Sequence, residues 1–205
     1  LWKIRGISHA KSGHVQNALD CLQQAIKYNP NSTDAYNQQG NLYRQIGNAD
    51  KALDAYQKAA GLSPELAVIW ANIGNVLADK GNVEEAILNY KKALAVKPDF
   101  FEILTDIGNC YRSINKFEQA LDYYSQALKI KPEYAAALNN IGNVYRHQGK
   151  FKDAINAFER AVLSDPELAE AHHNLSGIKT YTTRDDAHLE AMVSLSANKK
   201  AQNSN

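Results

Sequence analysis

Between residues 67 and 100 the apolar side chains fall at helical spacing twice over. Trp70, Ile73 and Leu77 form one stripe around Gly74; after a break at Gly81 and Asn82, Ala86, Ile87, Tyr90, Ala93 and Leu94 form a second. Two such stripes on either side of a Gly-Asn break predict helix, turn, helix. Pro98 lacks the N–H that a continuing helix needs, and Asp99 follows it in a short polar turn before the next stripe. The pattern returns every 34 residues. All five prolines (Pro30, Pro64, Pro98, Pro132, Pro166) keep that interval. So do two glycine series, Gly6, Gly40, Gly74, Gly108, Gly142 and Gly13, Gly47, Gly81, Gly149, with Asn115 standing in the missing place of the second. Ala18, Ala52, Ala86, Ala120, Ala154 and Ala25, Ala59, Ala93, Ala127, Ala161 recur in step. A repeat of about 20 to 50 residues marks a solenoid, in which each unit buries its apolar face on its neighbours. Small residues at fixed places let paired helices approach closely.

The order of a large apolar or aromatic residue, apolar-Gly, Tyr, Ala, aromatic, Ala and Pro resembles the tetratricopeptide repeat family. The aromatic of the second helix reads Leu22, Tyr56, Tyr90, Tyr124, Phe158, and that of the first reads His9, Tyr43, Leu77, Tyr111, Tyr145. The resemblance implies an all-α, right-handed superhelical solenoid of helix-turn-helix repeats. Its units run over residues 1–32, clipped at the start, then 33–66, 67–100, 101–134 and 135–168, with the first helix of a sixth over 169–180. Arg5 and Gln39 depart from the pattern, standing where Ile73, Ile107 and Ile141 stand later. Beyond Ile178 a Thr183 cap, Asp185 and Asp186 in a first turn, and Leu189, Met192, Val193 and Leu195 predict a capping helix over 181–196. Residues 197–205 read as a polar, disordered tail. The segment around Ile178 to Met192 also resembles the link after the repeats in proteins carrying a C-terminal sulfotransferase domain.

Composition narrows the function. With 44% hydrophobic and 22% charged residues the chain lies in the soluble globular range. Its 23 basic and 22 acidic side chains leave nothing to attract a nucleic acid or an anionic membrane. No apolar run approaches the roughly 18 to 20 residues of a membrane span. The chain starts at Leu1, without a leader, and reads as an excerpt of a longer one. Cys21 and Cys110 are too few for a disulfide scaffold and suit a reducing, cytoplasmic setting as small apolar fillers. The six histidines form no ligand pair at helical spacing, so no metal is expected. Neither a nucleophile elbow, a phosphate loop nor a dinucleotide fingerprint occurs, so neither catalysis nor a cofactor is expected of these residues.

The informative positions are those that the apolar stripe of the first helix leaves free. One series reads Asn41, Asn75, Asn109, Asn143, and another, three residues earlier, reads Gln38, Asn72, Asp106, Asn140, Asn174. Residues three apart are neighbours on a helix, so each unit presents a polar pair. Arg44, Arg112 and Arg146 follow three residues after the first series, with Ala78 interrupting them. The places four before it hold Asn37, Ala71, Thr105 and Asn139, where a chaperone-type carboxylate clamp of this family requires lysine; that clamp is absent. In the family this face lines the concave groove, and O-linked N-acetylglucosamine transferases have a similar asparagine ladder that holds substrate backbones.

An amide offers both acceptor and donors, matching a peptide backbone without regard to its side chains. Each bond is worth about 0.5 to 1.5 kcal/mol net, so several must act together. First helices about 10 Å apart would meet an extended chain every three residues or so, at about 3.3 to 3.6 Å each. The expected function is a non-catalytic scaffold that binds an extended peptide of a partner protein through Asn37, Gln38, Asn41, Arg44, Asn72, Asn75, Asp106, Asn109, Arg112, Asn139, Asn140, Asn143, Arg146 and Asn174. Truncating Asn75, Asn109 and Asn143 is then expected to spare the helical melting curve. Four alternatives stay open: the amides bond to one another, the arginines pair with Asp79, Asp106 or Glu102, the chain is the substrate-presenting arm of a larger enzyme such as a sulfotransferase or glycosyltransferase, or it self-assembles.

Overall fold

The computed structural model describes residues 15–180 together with His188, Met192 and Val193. Ten α-helices, and no strands, occupy residues 15–180: α1 Val15–Tyr28, α2 Thr33–Gln45, α3 Ala49–Leu62, α4 Ala67–Asp79, α5 Val83–Val96, α6 Phe101–Ser113, α7 Phe117–Ile130, α8 Ala135–His147, α9 Phe151–Ser164 and α10 Ala169–Ser176. The even-numbered helices, α2 to α10, start at 34-residue intervals and are the first helices of successive repeats. The molecule divides into two compact units, residues 1–103 and 104–205, with the division inside α6. Arg5 and His9 lie outside the described residues, as do the tail over 197–205 and most of the span 181–196. Of that span His188, Met192 and Val193 are described as helical, and the buried His188 ring stacks on His172 with centroids 5.0 Å apart.

Each first helix turns into its second by the same device. After α4, the N–H of Asn82 reaches back to Leu77 O at 2.9 Å, and that of Gly81 to Ala78 O at 2.9 Å, which satisfies carbonyls left over at the helix end. The geometry needs a left-handed residue, and Gly81 supplies it with φ +81°. Asn115 takes the same conformation at φ +59°, as suits the non-glycine residue that tolerates it best. Ser32 and Asn48 cap α2 and α3 by accepting the Ala35 and Lys51 N–H groups.

The two helices of a repeat meet at one place. A Cβ built on Gly74 would lie 2.5 Å from Cδ1 of Tyr90; Gly40 stands equally close to the Tyr56 ring and Gly142 to the Phe158 ring, and Gly108 faces Tyr124 in the same way. Those four rings are buried. Within residues 15–103, Ala18, Leu19, Leu22, Ala35 and Leu42 form one core cluster. Within 104–180, Ala120, Tyr124 and Val144 form a second cluster, Leu138, Ala161 and Ala171 a third, and Ala154, Phe158 and Leu175 a fourth. Cys21 and Cys110 are free and buried, and burial pushes the Cys110 thiol up to about 11, so it stays protonated and unreactive.

Two glycine-to-alanine substitutions are expected to have opposite effects. Gly74→Ala drives a methyl into the Tyr90 ring and should cost about 1 to 3 kcal/mol. Gly61, inside α3, has no atom within 4 Å of its would-be Cβ, so Gly61→Ala should gain up to about 1 kcal/mol from helix propensity. Thermal melting followed by circular dichroism checks both; equal shifts would contradict the contact.

Candidate functional site

The first series of carboxamides is tied to the core by the aromatic rings of the second helices. Tyr56 Oη donates to Asn41 Oδ1 at 2.7 Å, Tyr90 Oη to Asn75 Oδ1 at 2.7 Å, and Tyr124 Oη to Asn109 Oδ1 at 2.8 Å. Each hydroxyl sits fifteen residues after its partner. The Gly on the first helix lets the ring lie flat against it, and the hydroxyl then emerges beside the Asn on the following residue. A buried hydroxyl needs a partner, and the Asn carbonyl oxygen provides it. The opposite end of each amide is thereby turned away from the core. Among the described residues, the NH2 groups of Asn41, Asn75 and Asn109 donate to no side chain or backbone atom. Asn41 is exposed, and Asn75 and Asn109 are half-buried.

Burial pushes the Tyr56 and Tyr124 hydroxyls up to about 12, outweighing the nearby Arg44 and Arg112 guanidiniums that act in the other direction. Both remain protonated donors at neutral pH, which keeps the carboxamides in one orientation.

The last complete repeat solves the same problem differently. Phe158 replaces tyrosine, so Asn143 has no hydroxyl beneath it, and Arg146 supplies the donor instead. Its Nη2 bonds Asn143 Oδ1 at 3.0 Å and its Nη1 bonds Asn174 Oδ1 at 3.2 Å, with the guanidinium carbon 6.0 Å from the centroid of the Phe158 ring. Asn143 and Asn174 are buried, at 6% and 5% exposure.

The second series links one first helix to the next. Within residues 15–103, Asn72 Nδ2 donates to Asn37 Oδ1 at 3.0 Å. Within 104–180, Asn174 Nδ2 donates to Asn139 Oδ1 at 3.0 Å, the same pairing one repeat from the end. Between them in register, Thr105 occupies the place of Asn37 and Asn139, and Asn140 Nδ2 reaches Asn109 Oδ1 instead, at 2.9 Å. Asn139 is buried, while Asn37, Asn72 and Asn140 are half-buried. Gln38 and Asp106 are half-buried. Arg44 pairs with Asp79, Nη2 to Oδ2 at 3.3 Å, so one of the three arginines takes the intramolecular partner that sequence left open.

Two features escaped sequence reasoning. Tyr56, Tyr90 and Tyr124 read only as packing residues, although the constant interval between each tyrosine and its asparagine carried the signal. The expectation that truncating Asn75, Asn109 and Asn143 spares the melting curve left out the partners of these carbonyls: alanine would strand a buried tyrosine hydroxyl at Asn75 and at Asn109, costing about 1 to 3 kcal/mol each. His172 is explained by its register. Its ring nitrogen Nε2 lies 2.9 Å from Pro166 O, as Trp70 Nε1 lies 2.8 Å from Pro64 O three repeats earlier.

Family models described as tetratricopeptide repeat match residues 5–67, 101–134 and 135–168, and one described as TPR repeat matches 74–111. No curated protein matches the chain. Among solved structures, a crystal structure of MamA superposes with a TM-score of 0.72 at 22% identity, over 80% of this chain and 96% of that one. A tetratricopeptide repeat protein from Parabacteroides merdae gives a TM-score of 0.76 at 17% identity, over 98% of this chain and 75% of that one. YrrB, described as a TPR protein with an unusual peptide-binding site, gives 0.66 at 20% identity, over 84% of this chain and 89% of that one. Similarity at this level concerns the fold.

The hydroxyl shifts carry a pH dependence. In the unfolded chain these tyrosines ionise near 10 and in the folded one near 12, so the folded state holds their protons more tightly. Their contribution to stability is complete below pH 10 and is lost as pH rises towards 12. Melting temperature measured across that interval is expected to fall less steeply for Tyr56→Phe/Tyr124→Phe than for the parent. Identical slopes would show that the two hydroxyls are not held as described.

Proposed function

Because this chain belongs to the tetratricopeptide repeat family, we propose that it is a non-catalytic interaction scaffold that binds an extended peptide segment of a partner protein on the amide-bearing face of its first helices. The observation that carries this reading is the one-sided anchoring of Asn41, Asn75 and Asn109. Their carbonyl ends are held by tyrosine hydroxyls, and their NH2 ends point away from the core with no partner among the described residues. A donor fixed in advance needs no reordering when an acceptor arrives, which lowers the entropic cost of binding. A peptide carbonyl is the acceptor that recurs along any extended chain. The peptide-binding site named for YrrB is consistent with this use of the fold. Asn37, Asn139 and Asn174 serve the same face at one remove, by fixing one first helix against the next.

The reading is tested with variants that remove the outward donor and keep the inward acceptor. In Asn75→Asp/Asn109→Asp each carboxylate still receives its tyrosine hydroxyl, while the NH2 is replaced by an oxygen that repels carbonyls. Used as bait in a lysate, the parent is expected to retain partner proteins that this variant loses, with melting temperatures within a few degrees of each other, about 1 kcal/mol. Equal retention by the folded variant would refute the proposal.

A further inference from the structure

Three features are not used by the backbone-binding amides. The stacked His172 and His188 rings are buried, but His172 already meets Pro166 O, and no group of three possible ligands gathers among the described residues. Exposed apolar side chains recur at the ends of second helices, at Tyr28, Leu62, Val96 and Ile130, with nothing to indicate what covers them. The arginines carry an argument further.

Arg44, Arg112 and Arg146 occupy one register position in three repeats, and their surroundings differ in charge. Arg44 is neutralised by Asp79, which stands at the last place of α4. At the same 35-residue offset the place of Asp79 is held for Arg112 by His147, the last residue of α8, and for Arg146 it lies outside the described residues. Neither Arg112 nor Arg146 forms an ion pair with any described residue. Arg146 is gripped by two neutral carbonyls, Asn143 Oδ1 and Asn174 Oδ1, and lies over Phe158, so its position is fixed and its charge is not cancelled. Arg112 lies beside the Tyr124 hydroxyl, and its Nε is buried with no hydrogen-bond partner. On α6, Glu102 is in the first turn and Asp106 in the middle, six residues before Arg112, and α8, which carries Arg146, has no acid.

Resting on the peptide-binding reading, we propose that the unit formed by residues 104–180 selects acidic peptides: carboxylate side chains of the ligand pair with Arg112 and Arg146 while the Asn109 NH2 holds its backbone. Guanidinium forks match carboxylates in geometry as well as charge. First helices about 10 Å apart correspond to three extended residues at about 3.3 to 3.6 Å each. The recognised spacing is therefore Asp or Glu at every third residue. Residues 15–103, whose Arg44 is already paired, add no such preference.

Selection of a random peptide library displayed on phage, using the whole chain, tests this directly. The expected result is enrichment of peptides with acidic residues three apart. Their synthetic forms should lose about tenfold in affinity on Arg112→Gln, as on replacement of the acids by Gln, and little on Arg44→Gln. Arg146→Gln should act like Arg112→Gln; since Arg146 also holds Asn143 and Asn174, Arg112→Gln carries the test if the other variant fails to fold. Enrichment of neutral or basic peptides, or of acidic ones indifferent to Arg112→Gln, would overturn the acidic preference and leave peptide binding standing. No enrichment at all would refute peptide binding itself.

Discussion

The molecule depends on a close approach between paired helices, where a glycine of the first helix meets the face of an aromatic ring from the second. Gly74 and Tyr90 show the constraint most plainly, since any side chain at the glycine would overlap the ring. The approach does two things at once. It packs the repeat, and it delivers a phenolic oxygen to the edge of the first helix, where the next residue in sequence is an asparagine. Core and surface are coupled at a single point, so the surface amide inherits the rigidity of the buried ring.

That coupling explains why departures from the repeat occur together. When tyrosine becomes Phe158, the carbonyl of Asn143 would lose its donor, and Arg146 takes over from the solvent side. When Asn139 is replaced in register by Thr105, the amide of Asn140 moves to Asn109, which then accepts from two donors. The same register position carries a neutralised arginine where Arg44 meets Asp79, and an arginine without an acid where His147 takes that place for Arg112. One scaffold thus holds local differences in charge without disturbing its packing.

The helices were legible in the chain because proline, glycine and alanine recur at one interval, and steric demands of that kind leave unambiguous traces. The left-handed turn was legible for the same reason, down to Asn115 in a glycine place. Placement of the polar series on first helices was also legible, but their partners were not. Asn41 and Asn72 read alike in sequence, yet one accepts from a tyrosine and the other donates to Asn37. Which end of a carboxamide is occupied depends on side-chain geometry, and helical periodicity does not encode it. The tyrosines were hidden for a related reason: as large buried residues they satisfy the packing rule completely, and their hydroxyls add nothing to the hydrophobic pattern.

The central claim is that a buried hydroxyl orients an amide for use by another chain. It is tested most directly by the affinity of a selected peptide for Tyr90→Phe/Tyr124→Phe, in which the rings and their packing remain and only the two oxygens are removed. Helical content should be preserved and affinity should fall severalfold, because Asn75 is then free to turn and Asn109 is held by the Asn140 amide alone. Undiminished affinity in a folded double variant would contradict it.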